Sequence, residues 1–259
     1  MDLLGSYSSD EKDDDAPTND TSKKRRTSPG RVRLVTSTEE KDLFVRTIPH
    51  TRGNWAGHVF VKVSPCHNRS AQQSVSDFCV CLENAGWEGT VFSHESNLHL
   101  SLSRPFFLQL SSISSFVNSL KEKLTHEHAT RLVVTGEKLL VNDEGTRSFW
   151  CWIVRANPSI HRILNHINKV LVDYQQSPYY ESPEFHVSVA SLAGNVQALL
   201  DSPRQRDIMI NEASLDNTHN GDGDDDDDDD NSGGPLMLTI DHIYCTFGTT
   251  KTYRIDLSP

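Results

Sequence analysis

The chain has 259 residues, of which 36% are hydrophobic, and a formal net charge of −11 at pH 7. This length allows one or two domains, and the low hydrophobic content predicts that part of the chain is unstructured. No apolar run approaches the roughly 18 residues that a membrane-spanning helix needs, so we expect no membrane partner. The five cysteines form no CxxC pair, and the polar N-terminus carries no signal segment, which together favour reduced thiols inside the cell.

Most of the negative charge lies in one short stretch. Eight aspartates fall between residues 222 and 230, and without them the net charge is about −3. Such a block repels itself and cannot pack into a core, so we predict a disordered acidic insert at about 212–235. The net charge of the whole chain is therefore no argument against a nucleic-acid ligand.

The N-terminal segment differs in composition from the rest of the chain. Residues 1–45 are rich in Ser, Asp, Lys, Thr and Pro and poor in apolar residues, which predicts a disordered tail. Within it, Lys23-Lys24-Arg25-Arg26 is typical of a nuclear import signal, although a solvated charge cluster without a role has the same composition. We place one folded domain at 46–259.

Periodicity predicts alternating strands and helices in this domain. In chain order they are a strand over 57–63, a helix over 71–85, a strand over 97–103 closed by Pro105, a helix over 111–124, paired strands over 131–141 and 148–155, a helix over 158–174 opened by Asn157-Pro158, a strand over 185–191, a short helix over 195–201, and a terminal hairpin of 236–247 with 252–257. Helices between paired strands, repeated in two halves, predict an α+β fold. We expect two pseudo-symmetric lobes, each an antiparallel sheet with packed helices, on either side of a central cleft.

A His-x-Ser triplet occurs twice, as His99-Leu100-Ser101 and as His186-Val187-Ser188. Each triplet lies in a strict alternation of apolar and polar residues, which predicts a strand with one buried face. The histidine and the serine then share the face that points away from the core. Two triplets in the same phase predict that the cleft receives two imidazoles and two hydroxyls.

These residue types suit phosphodiester chemistry. Two imidazoles with an ordinary pKa near ~6.5 can hold one neutral and one protonated ring at neutral pH, as concerted general base and general acid catalysis requires. The serine hydroxyls suit the non-bridging oxygens of a phosphate. We therefore predict His99 and His186 as catalytic and Ser101 and Ser188 as phosphate-binding.

Two other interpretations of the triplets stay open. An exposed strand face is often built from histidine and serine without any function. A metal site is the second alternative, but the histidines show neither a HExxH nor a mixed His and Cys ligand spacing. We therefore predict no metal and no cofactor.

The doubled triplet with its apolar flanks resembles the 2H phosphoesterase superfamily. A closer resemblance is to the family of U6 small nuclear RNA 3′-end phosphodiesterases, which are poly(U)-specific exoribonucleases. It rests on Arg46 to His50, Arg52-Gly53-Asn54-Trp55-Ala56, Phe92 to Ser103, Thr146-Arg147, and Tyr179 to Ala190. The likeness covers about residues 46–257 and leaves out the N-terminal tail and the aspartate insert.

The resemblance implies a metal-independent 3′-to-5′ exonuclease that trims the U-rich end of U6 small nuclear RNA in the nucleus. The 2′-hydroxyl of the penultimate nucleotide would attack the adjacent phosphate, release a nucleoside 5′-monophosphate and leave a 2′,3′-cyclic phosphate, which some members then open. Tyr180 would stack on the terminal base. We expect a monomer with RNA as its partner.

The near symmetry of the two triplets leaves their roles open, and our working assignment is His186 as base and His99 as acid. Two other functions also remain: a 2′,3′-cyclic phosphodiesterase of tRNA splicing, and a non-catalytic RNA-binding module.

Overall fold

Eleven strands and four α-helices form within residues 32–36, 53–200 and 235–259, which are the parts of the chain that the computed structural model describes. The strands are β1 (Arg33–Thr36), β2 (Asn54–Lys62), β3 (Thr90–Ser93), β4 (His99–Ser101), β5 (Phe106–Gln109), β6 (Thr130–Val141), β7 (Arg147–Arg155), β8 (His186–Ala193), β9 (Met237–Ile240), β10 (His242–Phe247) and β11 (Lys251–Asp256). The helices are α1 (Asn68–Asn84), α2 (Leu110–Leu124), α3 (Pro158–Asp173) and α4 (Gln197–Leu200). None of these helices is long and apolar enough to span a membrane.

The strands form one mostly antiparallel sheet, which confirms the predicted α+β class. Its main path has the order β11-β10-β2-β4-β8-β7-β6-β9. Strand β5 pairs with β2, strand β3 pairs with β8, and β1 pairs with β3 in the one parallel ladder among the described strands. Helices α2 and α3 pack against each other.

The two predicted lobes are the two halves of this sheet, and they meet where β4 pairs with β8. The first half contains β11, β10, β2, β4 and β5, and the second contains β8, β7, β6, β9, β3 and β1. The halves are interleaved along the chain, because β3 precedes β4 yet joins the second half, whereas β10 and β11 at the C-terminal end join the first. The two triplet strands are the two middle strands of the main path of the sheet.

Helix α3 begins as the sequence predicts. The side chain of Asn157 accepts a hydrogen bond from the backbone N–H of Ile160 at 2.9 Å, and Pro158 occupies the first helical turn, where its missing N–H costs nothing. The apolar residues at helical spacing are buried as predicted: Ile160, Ile163, Leu164, Ile167, Val170 and Leu171.

Three short strands differ from the prediction. Strand β1 lies inside the range assigned to the disordered tail, so the sheet begins before residue 46; the rest of that tail, with its basic run, lies outside the described residues. Strands β3 and β5 were not predicted, because four-residue segments are too short for a period to show. The β1 segment is also mostly exposed, with only Val35 of the strand buried, and it exists through its pairing with β3.

The C-terminal strands also divide differently. The sequence predicts one strand over 236–247, but Met237–Ile240 pairs with β6 in the second half, whereas His242–Phe247 pairs with β2 and β11 in the first. The hairpin of β10 and β11 is confirmed. The acidic insert, apart from its last predicted residue, lies outside the described residues.

Candidate active site

The two triplets meet at the centre of the sheet. Strands β4 and β8 are antiparallel, with Leu100 opposite Val187, and these are the middle residues of the two triplets. Both side chains are buried, as predicted for the apolar face. The triplets therefore lie side by side in opposite directions, related by an approximate two-fold axis through this pair. Continuing the register places the histidine of each triplet beside the serine of the other.

The same backbone contact fixes both imidazoles. His99 Nδ1 lies 3.0 Å from the carbonyl oxygen of Asn97, and His186 Nδ1 lies 2.7 Å from that of Glu184. A carbonyl oxygen can only accept, so Nδ1 donates and carries the hydrogen in each ring. Nε2 is therefore the nitrogen through which each histidine takes or gives a proton.

Each serine of the triplets hydrogen-bonds to a side chain of the next strand outward. Ser101 Oγ lies 3.1 Å from Nε2 of His58 on β2, and Ser188 Oγ lies 3.4 Å from Sγ of Cys151 on β7. A hydroxyl has one donor and two acceptor positions, so each serine keeps capacity for a ligand after this contact. The two halves are thus built alike but with different partners, a histidine and a thiol.

The histidines around the first triplet have lowered pKa values. Burial, followed by the charge of His99, lowers the pKa of His58 to about 3 and that of His94 to about 4. Burial also lowers the pKa of His99. The hydrogen bond to Asn97 raises this pKa, and the charge of the neighbouring His186 lowers it. Without a ligand, His99 therefore favours its neutral form. The assignment of His186 as base and His99 as acid stays a prediction.

The structure places Tyr180 at one end of the seam between β4 and β8. Tyr180 is 44% exposed, and the guanidinium of Arg104 lies 4.7 Å from the centroid of its ring. Arg104 follows Ser101 by three residues and Tyr180 precedes His186 by six, so this contact joins the chain leaving one triplet to the chain entering the other. The ring also borders a depression that Asn165 and Asn168 of α3 help to line. The stacking role of Tyr180 stays a prediction.

Sequence reasoning did not select His58 and Cys151. The alternation around His58 predicts which face of its strand it occupies, but not that this strand lies next to β4. Cys151 was assigned to a strand, without a partner. In both cases the missing information was strand order, which depends on residues distant in the sequence.

No group of three or more His, Cys, Asp or Glu side chains within the described ranges is placed to hold a metal ion. The predicted absence of a metal and of a cofactor from the reaction stays a prediction.

A solved structure of another protein has the same fold. Kluyveromyces marxianus Usb1 shares it, with a TM-score of 0.53 and 14% sequence identity over 81% of this chain and 100% of that chain. The sequence matches the model of the HVSL family, described as an uncharacterised conserved protein, over residues 13–250. The chain belongs to the HVSL family.

Several curated relatives carry the name U6 snRNA phosphodiesterase 1. The protein from Drosophila melanogaster is 30% identical over 159 residues, which cover 61% of this chain and 60% of that protein. The protein from Homo sapiens is 29% identical over 159 residues (61% and 58%), and that from Bos taurus is 28% identical over 160 residues (61% and 58%). The chain thus spans about three fifths of the length of these relatives.

Proposed function

We propose that this protein is a 3′-to-5′ exoribonuclease of the phosphodiesterase type, which trims the U-rich 3′ end of U6 small nuclear RNA without a metal ion. Its relatives named U6 snRNA phosphodiesterase 1 support the substrate. One observation supports the proposed chemistry. Leu100 lies opposite Val187, so the imidazoles and hydroxyls of both triplets face the position that we propose for the phosphate. We further propose that it acts in the nucleus as a monomer.

The proposed reaction is a transesterification within the RNA. Nε2 of one imidazole takes the proton of the penultimate 2′-hydroxyl, and the 2′-oxygen forms a bond to the adjacent phosphorus. The bond from phosphorus to the 5′-oxygen breaks, and Nε2 of the other imidazole protonates that oxygen. Ser101 and Ser188 donate hydrogen bonds to the non-bridging oxygens, whose charge grows in the transition state. The products are a nucleoside with a free 5′-hydroxyl and a 2′,3′-cyclic phosphate end. The nucleoside 5′-monophosphate that the resemblance implied does not balance with this step, because the one phosphorus atom stays in the cyclic phosphate.

A substrate pair tests this proposal. The protein is incubated in EDTA with an RNA ending in uridines, and in parallel with the same RNA carrying a 2′-deoxy penultimate nucleotide. We expect only the first RNA to shorten and to end in a cyclic phosphate or in a 3′-phosphate, because deoxyribose lacks the nucleophile. Shortening of both RNAs would show hydrolysis by water and contradict the mechanism. Opening of a supplied cyclic phosphate without any shortening would show a cyclic phosphodiesterase instead.

A further inference from the structure

A row of side chains crosses the first half of the sheet, starting at the first triplet. The register places Ser101 opposite Phe60, Phe60 opposite Tyr244, and Tyr244 opposite Arg254. We call these four residues the cross-strand row. They come from four adjacent strands and share the face that carries His99. Neighbouring strands lie about 4.8 Å apart, so the row extends about 14 Å from the proposed phosphate position.

Aromatic rings connect the row to the site. Phe60 contacts the ring of His99 with centroids 5.5 Å apart, and it stacks on Tyr244 at 5.9 Å. Phe60 is buried, whereas Tyr244 is partly exposed and so offers ring surface to the solvent. The exposed Lys62 holds its ammonium 4.5 Å from the centroid of the Tyr244 ring.

The charges beside the row are of both signs. Arg254 Nε lies 2.7 Å from the carboxylate of Asp256, and the same carboxylate lies 3.1 Å from His242 Nδ1. Asp241 lies 3.4 Å from His242 Nε2. Arg254 still has further N–H donors, and Lys62 is a flexible cation that can turn from the ring to a phosphate.

We propose that the cross-strand row, with Lys62, binds the single-stranded RNA immediately 5′ of the cleaved phosphate, with Tyr244 stacking on a base and Lys62 and Arg254 contacting the backbone. A partly exposed ring between two cations is the combination that binds single strands without base-specific contacts. The inference rests on the proposed function. If Tyr180 receives the departing 3′ nucleotide in the second half of the sheet, the retained RNA strand lies across the first half.

The test compares two substrates of different length. The dinucleotide UpU reaches only the start of the row, whereas a uridine hexamer covers it. We expect Tyr244→Ala to raise the KM for the hexamer about tenfold, since stacking on one ring is lost, and to leave kcat and the KM for UpU nearly unchanged. Tyr244→Phe should restore the wild-type KM, because it keeps the ring. Lys62→Ala should reduce the slope of log affinity against log salt concentration for the hexamer by about one, because one contact to a phosphate is lost.

A matched control lies on the opposite face of the same sheet. Lys251 of β11 holds its ammonium 5.1 Å from the ring centroid of Trp55 on β2, so this pair repeats the cation and ring of Lys62 and Tyr244 away from the site. Lys251→Ala should leave hexamer affinity and its salt dependence unchanged. An equal effect of Lys251→Ala and Lys62→Ala would overturn the inference, because it would show only a general effect of charge.

Direct binding separates this inference from the proposed function. The affinity of each variant is measured by fluorescence anisotropy with a hexamer whose penultimate nucleotide is 2′-deoxy. If the wild type cleaves UpU and the all-ribose hexamer but not the 2′-deoxy hexamer, and Tyr244→Ala and Lys62→Ala bind the 2′-deoxy hexamer normally, the row is wrong and the proposed function stands. If the wild type cleaves neither UpU nor the all-ribose hexamer but Tyr244→Ala weakens binding of the 2′-deoxy hexamer, the proposed function fails and the row stands. If the wild type does not bind the hexamer, the row is wrong.

Discussion

Single hydrogen bonds decide what each side chain at the seam can do. His99 and His186 each donate from Nδ1 to a carbonyl two residues earlier, so the segment that leads into each strand sets the tautomer of the ring. The acceptor is therefore close in sequence to the ring and moves with it when the strand shifts. This gives both imidazoles the same reactive atom, Nε2, in spite of their different surroundings.

Removing either imidazole should abolish most of the activity. We expect His99→Gln and His186→Gln each to lower kcat by about 10²–10⁴-fold on a uridine-ended RNA, because proton transfer to or from the substrate is lost. The measurement is single-turnover release of uridine. His126→Gln, at an exposed histidine after α2, is the control and should be unaffected. Full activity of either site variant would exclude that residue from the chemistry.

His58 should act through Ser101 rather than on the RNA. Its low pKa keeps the ring neutral, and a neutral ring that donates from Nε2 to Ser101 leaves the serine hydrogen for the phosphate. We expect His58→Leu to lower kcat about tenfold, the equivalent of one lost hydrogen bond, and His58→Gln to recover part of it. Equal kcat values for the two variants, at equal thermal stability, would show that His58 serves packing alone.

At the scale of the elements, the N-cap residue of helix α3 does more than begin the helix. Asn157 Oδ1 accepts from Ile160, while Nδ2 donates to Thr130 Oγ1 at 2.8 Å and to the carbonyl of Arg131 at 3.2 Å. The same side chain thus caps the helix and attaches it to β6. The position of the apolar face of α3 is therefore fixed at this end.

Loss of this cap should destabilise the fold measurably. We expect Asn157→Ala to lower the free energy of unfolding by about 1–2 kcal/mol, the usual cost of a lost N-cap with little left to replace it. Urea unfolding followed by circular dichroism measures the change. Asn165→Ala, at an exposed position of the same helix, is the control and should be neutral or slightly stabilising, since alanine has the higher helix propensity. Equal stability of both variants would contradict the role of Asn157.

For the whole molecule, the interleaving of the two halves joins distant parts of the chain. Strands β10 and β11 complete the half that begins with β2, and β3 lies in the half built on β8. Neither half can therefore be formed from one continuous stretch, and we expect the described domain to unfold as one cooperative unit.

Stability should fall in mild acid. His58 and His94 have folded pKa values of about 3 and about 4, below the ordinary value near 6.5, so the unfolded chain takes up protons first as the pH falls. The stability is complete above about pH 6.5 and is lost progressively below it. At pH 5 the low pKa of each histidine should lower the free energy of unfolding by up to ~2 kcal/mol. Urea unfolding at pH 7.5 and pH 5 measures this loss, and His94→Asn should reduce it; an unchanged loss would contradict the assignment to His94.

The sequence by itself determined the features that depend on near neighbours. Alternation around Leu100 and Val187 set which side chains of each triplet are buried, and the spacing of apolar residues set α1, α2 and α3. The Asn157-Pro158 pair set where α3 begins. Each of these follows from the geometry of a strand or a helix over a few residues, which a single segment already contains.

Only the tertiary structure decided which strands are neighbours. The pairing of β4 with β8 joins segments 87 residues apart, as the numbers of Leu100 and Val187 show, and it turns two separate triplets into one site. The order of the strands also decides three further features. These are the partner of Ser101, the division between β9 and β10 at Asp241, and the pairing of β1 with β3. Strand pairing is settled by packing and hydrogen bonds between distant segments, and no local period records which segments these are.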